Sequence, residues 1–362
     1  MVASTISEPR SLKVMFISRG HGWGHAIPDM AIAERLVDLE PDLDLQFVSY
    51  AAGAEAYRAC GFDVVDLHAP DRPHLWDMVM TLTKFLANTQ PDLVVAHEEV
   101  AALPAAAAFG IRSVYITDFF LDPSHMLTQA LRYTDEIVFL AHKGLYTEPP
   151  YLQGKIHYVG RAVRGFEYMR ADRARARQEL GIPHDATVLL CQPGAWTESQ
   201  VPLRGLLGAA WDILPQSPKR LIWLAGREYD ALATFFRERP DVMVLKEDLR
   251  IDRLMAASDV LITKANRVTV YEAAAMGLPS ISISHIENWP DDVAVIDVES
   301  NTYLSSDTIT PESLSAIITE QASVKPTPAT ELSGGIAGAA ARIAWNIGEV
   351  RARKMMTESI VA

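Results

Sequence analysis

The strongest constraint on this chain is a rhythm: short apolar runs alternate with helix-length amphipathic stretches almost from end to end. Leu12–Ser18 reads as a strand, Ala26–Leu39 as a helix and 45–49 as a strand. Residues 75–87 are helical in pattern, 92–96 form a strand after Pro91, 101–109 a helix and 113–117 another strand. Short strands that are apolar along their whole length are covered on both faces. A β-α-β order therefore predicts parallel sheets sandwiched by helices, with ligand loops at the carboxyl ends of the strands.

The rhythm restarts after 158–165. Strands are predicted at 187–191, 220–225, 242–245, 260–262 and 280–284, with helices between them, notably at 252–257 and 269–276. At 362 residues the chain is too long for one core and suits two domains. The expected architecture is α/β, two doubly wound Rossmann-like domains facing across a cleft. They span 1–163 and 164–340, and a last helix in 341–362 packs back on the first domain. The stretch 322–335, with Pro326 and Pro328, reads as a surface loop. Leu75, Trp76, Met78, Val79, Leu82, Phe85 and Leu86 have the spacing of a core-facing helix rather than a membrane face.

Charge narrows the function classes. Thirty-three basic against 46 acidic residues give −13, the wrong sign for a general nucleic-acid or anionic-membrane surface. Any phosphate site must then be local. Cys60 and Cys191, the only cysteines, provide neither a disulfide framework nor a thiolate metal cluster and suit a reducing compartment. Residues 1–10 lack the apolar core of a signal peptide, and no apolar run approaches the ~18–20 residues that span a bilayer. The expected location is the cytoplasm. The oligomeric state is not readable.

The sharpest local signal is Arg19-Gly20-His21-Gly22-Trp23-Gly24-His25, between the first strand and the first helix. Gly20, Gly22 and Gly24 allow a tight turn and a close ligand approach. The helix behind them offers unpaired N–H groups and the positive end of its dipole, a natural seat for a diphosphate. A plain tight turn is the alternative. A dinucleotide loop would want an acidic residue at the end of the second strand, where this chain has Ser49-Tyr50. His25 closes the loop and is the candidate catalytic base, since an imidazole titrates near neutrality. It could instead only hydrogen-bond nearby backbone. His21 and His25 lack a third ligand, so no metal site is expected. Asp42 and Asp44 precede a strand on an exposed turn and carry no metal reading either.

Gly20 to Pro28, followed by Ala31-Ile32-Ala33, resembles the opening of glycosyltransferase family 28, whose best-known member adds N-acetylglucosamine to lipid I. In that family this loop approaches the donor diphosphate and the acceptor. A second match runs without a gap from Asp259 to Pro279 and resembles the family's donor-site signature. A strand ends there, a loop turns and Thr269 opens a helix whose hydroxyl and first N–H groups can receive phosphate oxygens. Arg267 and Val268 belong to the same diphosphate-binding turn. Glu272 is implied as the acceptor of the ribose hydroxyls, the alternative being a first-turn glutamate paired with the helix dipole. The chain departs from the family at Asn266 and Arg267, where glycine and a small residue are usual. Asn tolerates the left-handed backbone.

Weaker matches complete the implied site. Asp291 and Asp292 stand where the family places paired glutamines on the donor sugar, so a different sugar is expected; a solvated acidic turn is the alternative. Arg164 ends a segment, 159–164, whose arginine can reach the diphosphate, or it forms a hinge salt bridge. Gly194 lies in a loop, Gln192 to Trp196, that is more similar to the transferase-like half of plant arabinose kinases; no kinase half is present. Asp248 falls where the family reads the nucleotide base. The resemblance implies the GT-B fold and a UDP-sugar donor. It also implies transfer to a hydroxyl acceptor, with no cofactor and no metal. Two other readings stay open, a nucleotide-sugar 2-epimerase and a non-catalytic nucleotide-sugar-binding protein.

Overall fold

The structure is a computed structural model that describes residues 11–122, 124–193, 201–215, 218–264, 267–284, 296, 298–325, 327–329 and 334–361. Two compact units emerge, Met1–Gly160 with Gly335–Ala362, and Arg161–Gly334.

In the first unit the chain runs β1 (Leu12–Ser18), α1 (Ala26–Leu39), β2 (Leu43–Ser49), α2 (Ala51–Ala59), β3 (Val64–Asp66), α3 (Leu75–Thr89), β4 (Leu93–His97), α4 (Ala102–Ala107), β5 (Arg112–Thr117), α5 (Met126–Ala130), β6 (Glu136–Phe139) and β7 (Ile156–Tyr158). All strands are parallel, in the order β3-β2-β1-β4-β5-β6-β7. Phe16, Val14, Val94, Val95, Ile116 and Val138 are fully buried, as expected where helices cover both faces. Because the order reverses between β1 and β4, the loops leaving those two strands diverge and open a crevice at their carboxyl ends.

In the second unit the elements are α6 (Arg173–Glu179), β8 (Thr187–Gln192), α7 (Val201–Ile213), β9 (Lys219–Leu224), α8 (Tyr229–Phe235), β10 (Val242–Leu245), α9 (Ile251–Ala257), β11 (Val260–Thr263), α10 (Arg267–Met276), β12 (Ser280–Ser284), β13 (Asn301–Ser305) and α11 (Pro311–Ser323). The parallel order β10-β9-β8-β11-β12-β13 repeats the plan, with its switch between β8 and β11. Arg177, wholly buried, ties this half together: its guanidinium reaches Asp259 at 2.9 Å and the carbonyls of Ala257 and Ala186 at 2.9 and 2.8 Å.

The last helix, α12 (Gly335–Val361), belongs to the first unit, packing on α1, β4 and β5. Its Ala339, Ala340, Ile343, Ile347 and Val350 recur at helical spacing and are buried. Gly338 lets it approach the chain closely, since a Cβ there would lie 2.8 Å from Val159 Cβ. Arg342 grips Glu136, Arg112 donates to Asn346 at 2.7 Å and Arg351 meets Glu40 at 2.7 Å. On α3, Met78, Leu82 and Leu86 face the core, whereas Trp76 is 59% exposed, so that residue departs from the expected core-facing set. No described helix is long and apolar enough to cross a membrane.

Candidate functional site

The glycine loop leaves β1 at the switch point of the first sheet. Gly22 sits at φ +75°, a left-handed conformation that favours glycine. Gly20 is required for space: a Cβ on it would come 2.3 Å from the Tyr50 carbonyl oxygen and 2.4 Å from the Tyr50 ring. Its carbonyl accepts from Gly53 N at 3.1 Å, so the start of α2 clamps the loop. Gly24 is exposed and open. His21 pairs with Asp71 at 3.0 Å. Burial lowers its pKa and outweighs Asp71, with Arg19 and Arg72 pushing the same way as burial.

His25 is the cap residue of α1, and Nε2 lies 2.9 Å from Glu98 Oε2. A carboxylate only accepts, so Nε2 donates to Glu98, and in the neutral ring it is Nδ1 that holds the lone pair. Nδ1 is enclosed and has no hydrogen-bond partner among the described residues. A buried nitrogen left unmatched beside a paired carboxylate is a rare arrangement that calls for a reason.

Glu98 follows β4 directly and adopts φ +52°, a costly left-handed backbone for a non-glycine residue. Neighbouring strands hold it there. Glu98 N donates to the Ile116 carbonyl at 3.1 Å, Arg19 N donates to the His97 carbonyl at 3.0 Å, and Ser18 and Glu98 form a bridge. Thr117 Oγ1 donates to Glu98 Oε1 at 3.3 Å. Next to it, buried Glu99 accepts from the Tyr50 hydroxyl at 2.8 Å; burial raises the Glu99 pKa against the pull of that bond. Sequence reasoning missed His97, Glu98, Glu99 and Asp29. The signal available was three polar residues in a row, His97-Glu98-Glu99, closing a strand of purely apolar residues.

In the second unit, Arg164 meets Glu272 through two parallel bonds, Nε to Oε1 at 2.6 Å and Nη2 to Oε2 at 3.1 Å. The Glu272 side chain is 3% exposed. It lies in the second turn of α10, which begins at Arg267, so Thr269 is the third helical residue rather than the first; Thr269 is buried and Val268 half-buried. Asp248 accepts from Arg250 N at 2.8 Å and from Arg253 Nη2 at 3.0 Å, holding the start of α9. A cavity of about 160 Å³ opens between 164–167 and 249–252, with Arg164 on its wall. The structure therefore brings Arg164 and Glu272 together, and His25 together with a glutamate the sequence reading had not named. Gly194, Asn266, Asp291 and Asp292 lie outside the described residues.

No family model matches the chain. A curated protein of Mycobacterium tuberculosis is 27% identical over 316 residues, covering 76% of this chain and 72% of that protein. Its name is UDP-N-acetylglucosamine–N-acetylmuramyl-(pentapeptide) pyrophosphoryl-undecaprenol N-acetylglucosamine transferase. The crystal structure of MurG from Acinetobacter baumannii superposes with a TM-score of 0.58 at 15% identity, over 91% of this chain and 94% of that one. The chain has the GT-B fold. A GT-B chain need not be a transferase, however: the UDP-GlcNAc 2-epimerase of Methanocaldococcus jannaschii superposes with a TM-score of 0.61 at 12% identity, over 94% and 99% of the two chains. Fold similarity alone does not separate these activities. The two GT-B halves here carry the family 28-like motifs at the carboxyl ends of β1 and β11.

Proposed function

We propose that the chain is a glycosyltransferase that moves a sugar from a nucleoside diphosphate donor, a UDP-sugar by the names of its relatives, onto a hydroxyl acceptor. The observation that carries this reading is the His25–Glu98 pair with its unmatched Nδ1. The curated relatives named as N-acetylglucosamine transferases support it independently.

In this reading the second unit holds the donor. The first-turn amides of α10, with Arg267, Val268 and Thr269, receive the diphosphate. Glu272, braced by Arg164, accepts from the ribose hydroxyls, and the hollow lined by Leu249 and Arg250, next in the chain to Asp248, takes the base. The first unit supplies the base. As the acceptor oxygen bonds to the anomeric carbon, its proton passes to His25 Nδ1. The bond from that carbon to the diphosphate oxygen breaks, and the electron pair leaves with the nucleotide. Glu98 steadies the imidazolium; helix amides and Arg164 take up leaving-group charge. This step requires a movement that opens Nδ1, enclosed in the structure, to the acceptor hydroxyl. By the family 28 resemblance, Gly20, Gly22, Gly24 and Gly194 are assigned to the diphosphate and Asp291 and Asp292 to the donor sugar. The reading calls for no cofactor and places the chain in the cytoplasm.

Thermal melting across UDP-, GDP- and dTDP-sugars tests it. One nucleotide should stabilise by a few degrees, and Glu272→Ala should abolish that response; equal responses in both proteins would remove Glu272 from the ribose. Incubation with UDP-N-acetylglucosamine alone separates the classes, because isomerised sugar in the absence of any acceptor would establish an epimerase instead.

A further inference from the structure

The polar cluster behind His25 is larger than a base and its partner require. Asp29, on the first turn of α1, is completely buried, yet it receives the His97 ring nitrogen Nδ1 at 2.7 Å, the Ser18 hydroxyl and the Tyr57 hydroxyl at 3.3 Å. Ser18 and Tyr57 also touch each other at 2.6 Å. These donors come from β4, β1 and α2, so Asp29 ties four elements together directly beneath the glycine loop. His97 is itself buried, and its ring stands perpendicular to that of His25, 82° between planes and 5.2 Å between centroids.

Two features make this more than a core hydrogen-bond knot. Removing a carboxylate and an imidazole from water is unfavourable enough that apolar side chains of similar volume would serve a core as well or better. The His25 ring, moreover, has one hydrogen bond, to Glu98, and a second nitrogen without a partner among the described residues. One hydrogen bond at Nε2 is a weak hold against rotation about Cβ–Cγ, which would carry Nε2 off Glu98 and free the tautomer. A perpendicular aromatic neighbour at this distance blocks the turn, provided that the neighbour is itself immobile. Asp29 makes it so. Burial opposes charge on His97, but the Asp29 charge and hydrogen bond, aided by Glu98 and Asp118, carry its pKa upward on balance.

We propose that Asp29 and His97 are positioning residues for His25: the anchored His97 ring fixes the plane of the His25 imidazole, so that Nε2 stays on Glu98 and Nδ1 remains the proton acceptor. The inference rests on His25 being the base of the proposed transferase.

The test uses the full chain with ¹⁵N-labelled histidine. Long-range ¹H–¹⁵N spectra read the tautomer of each imidazole, and His25→Gln identifies the His25 signals. Wild type should show His25 as one tautomer, protonated on Nε2. In His97→Gln, which keeps a donor for Asp29 but removes the ring, the His25 signals should become an average of both tautomers. Asp29→Asn should do the same. UDP release from the active donor should then fall about tenfold in kcat, with the donor KM within about twofold of wild type. Unaltered His25 signals in a folded His97→Gln protein would overturn the proposal, whatever the turnover. If Asp29→Asn fails to fold, His97→Gln decides alone. A chain with no transferase activity would remove the proposed function while the spectrum still reports on the ring, so the two failures are distinguishable.

Discussion

Arg164 and Glu272, 108 residues apart, meet fork to fork, each Glu272 oxygen accepting one guanidinium N–H. Both residues were expected to touch the nucleotide, one at the diphosphate and the other at the ribose. Two of the arginine's donors are instead spent on orienting the glutamate. Arg164→Ala should therefore leave a nearly buried carboxylate under-satisfied and lower the unfolding free energy by about 2 kcal/mol, toward the low side because Arg164 is a quarter exposed. Arg164→Lys should recover less than half, since an ammonium cannot present two parallel donors. Urea unfolding of the three proteins measures both effects; equal stability would show the pair to be idle.

Gly20 and Gly24 look interchangeable in sequence but sit in different surroundings. Gly20→Ala drives a methyl group into Tyr50 and should destabilise by about 2–3 kcal/mol, displacing the loop as well. Gly24→Ala meets nothing within 4 Å and should stay within about 0.5 kcal/mol of wild type. Paired thermal melts decide, and a melting point for Gly20→Ala equal to that of Gly24→Ala would contradict the packing described.

Glu98 holds a left-handed backbone that Asn adopts more readily. Glu98→Asn relieves that strain but shortens the side chain out of reach of His25. The expected split is an unchanged or slightly raised melting temperature with turnover reduced about 100-fold. Activity equal to wild type would detach Glu98 from the chemistry.

His97 sets a pH dependence whose sign can be worked out. Its folded pKa lies above the unfolded value of about 6.5, so the native state binds more protons and stability falls as pH rises. The contribution is complete below about 6.5 and disappears as pH climbs through the folded value. Denaturation at pH 6, 7, 8 and 9 should show wild type losing stability relative to His97→Gln across that range. Parallel curves would mean that His97 titrates alike in both states.

Much of this molecule is local, and local order is legible in a sequence. The largely apolar run from Leu12 to Ser18 and the alternation of small serines with isoleucines from Ser280 to Ser284 are strands because their residues suit burial on both faces, and the helix Ala26–Leu39 keeps a helical period throughout. Shorter elements such as Val64–Asp66 and Ala51–Ala59 went unread, since three residues carry no period and an alanine-rich stretch carries little contrast. The glycine loop and the 259–279 signature were visible for the same reason: each is one continuous segment whose chemistry depends on its neighbours in sequence.

What surrounds those segments depends on strand order. His25 meets Glu98 across 73 residues, and Asp29 meets His97 across 68, because β1 lies beside β4 and their carboxyl ends coincide in register. Hydrophobic patterning specifies that a strand is buried, but not which strand becomes its neighbour; that follows from packing all the helices on both faces at once. The longer strands and helices and the glycine loop were thus determined by the sequence alone, whereas the carboxylate that faces the histidine, and the arginine that faces the glutamate, were decided only in three dimensions.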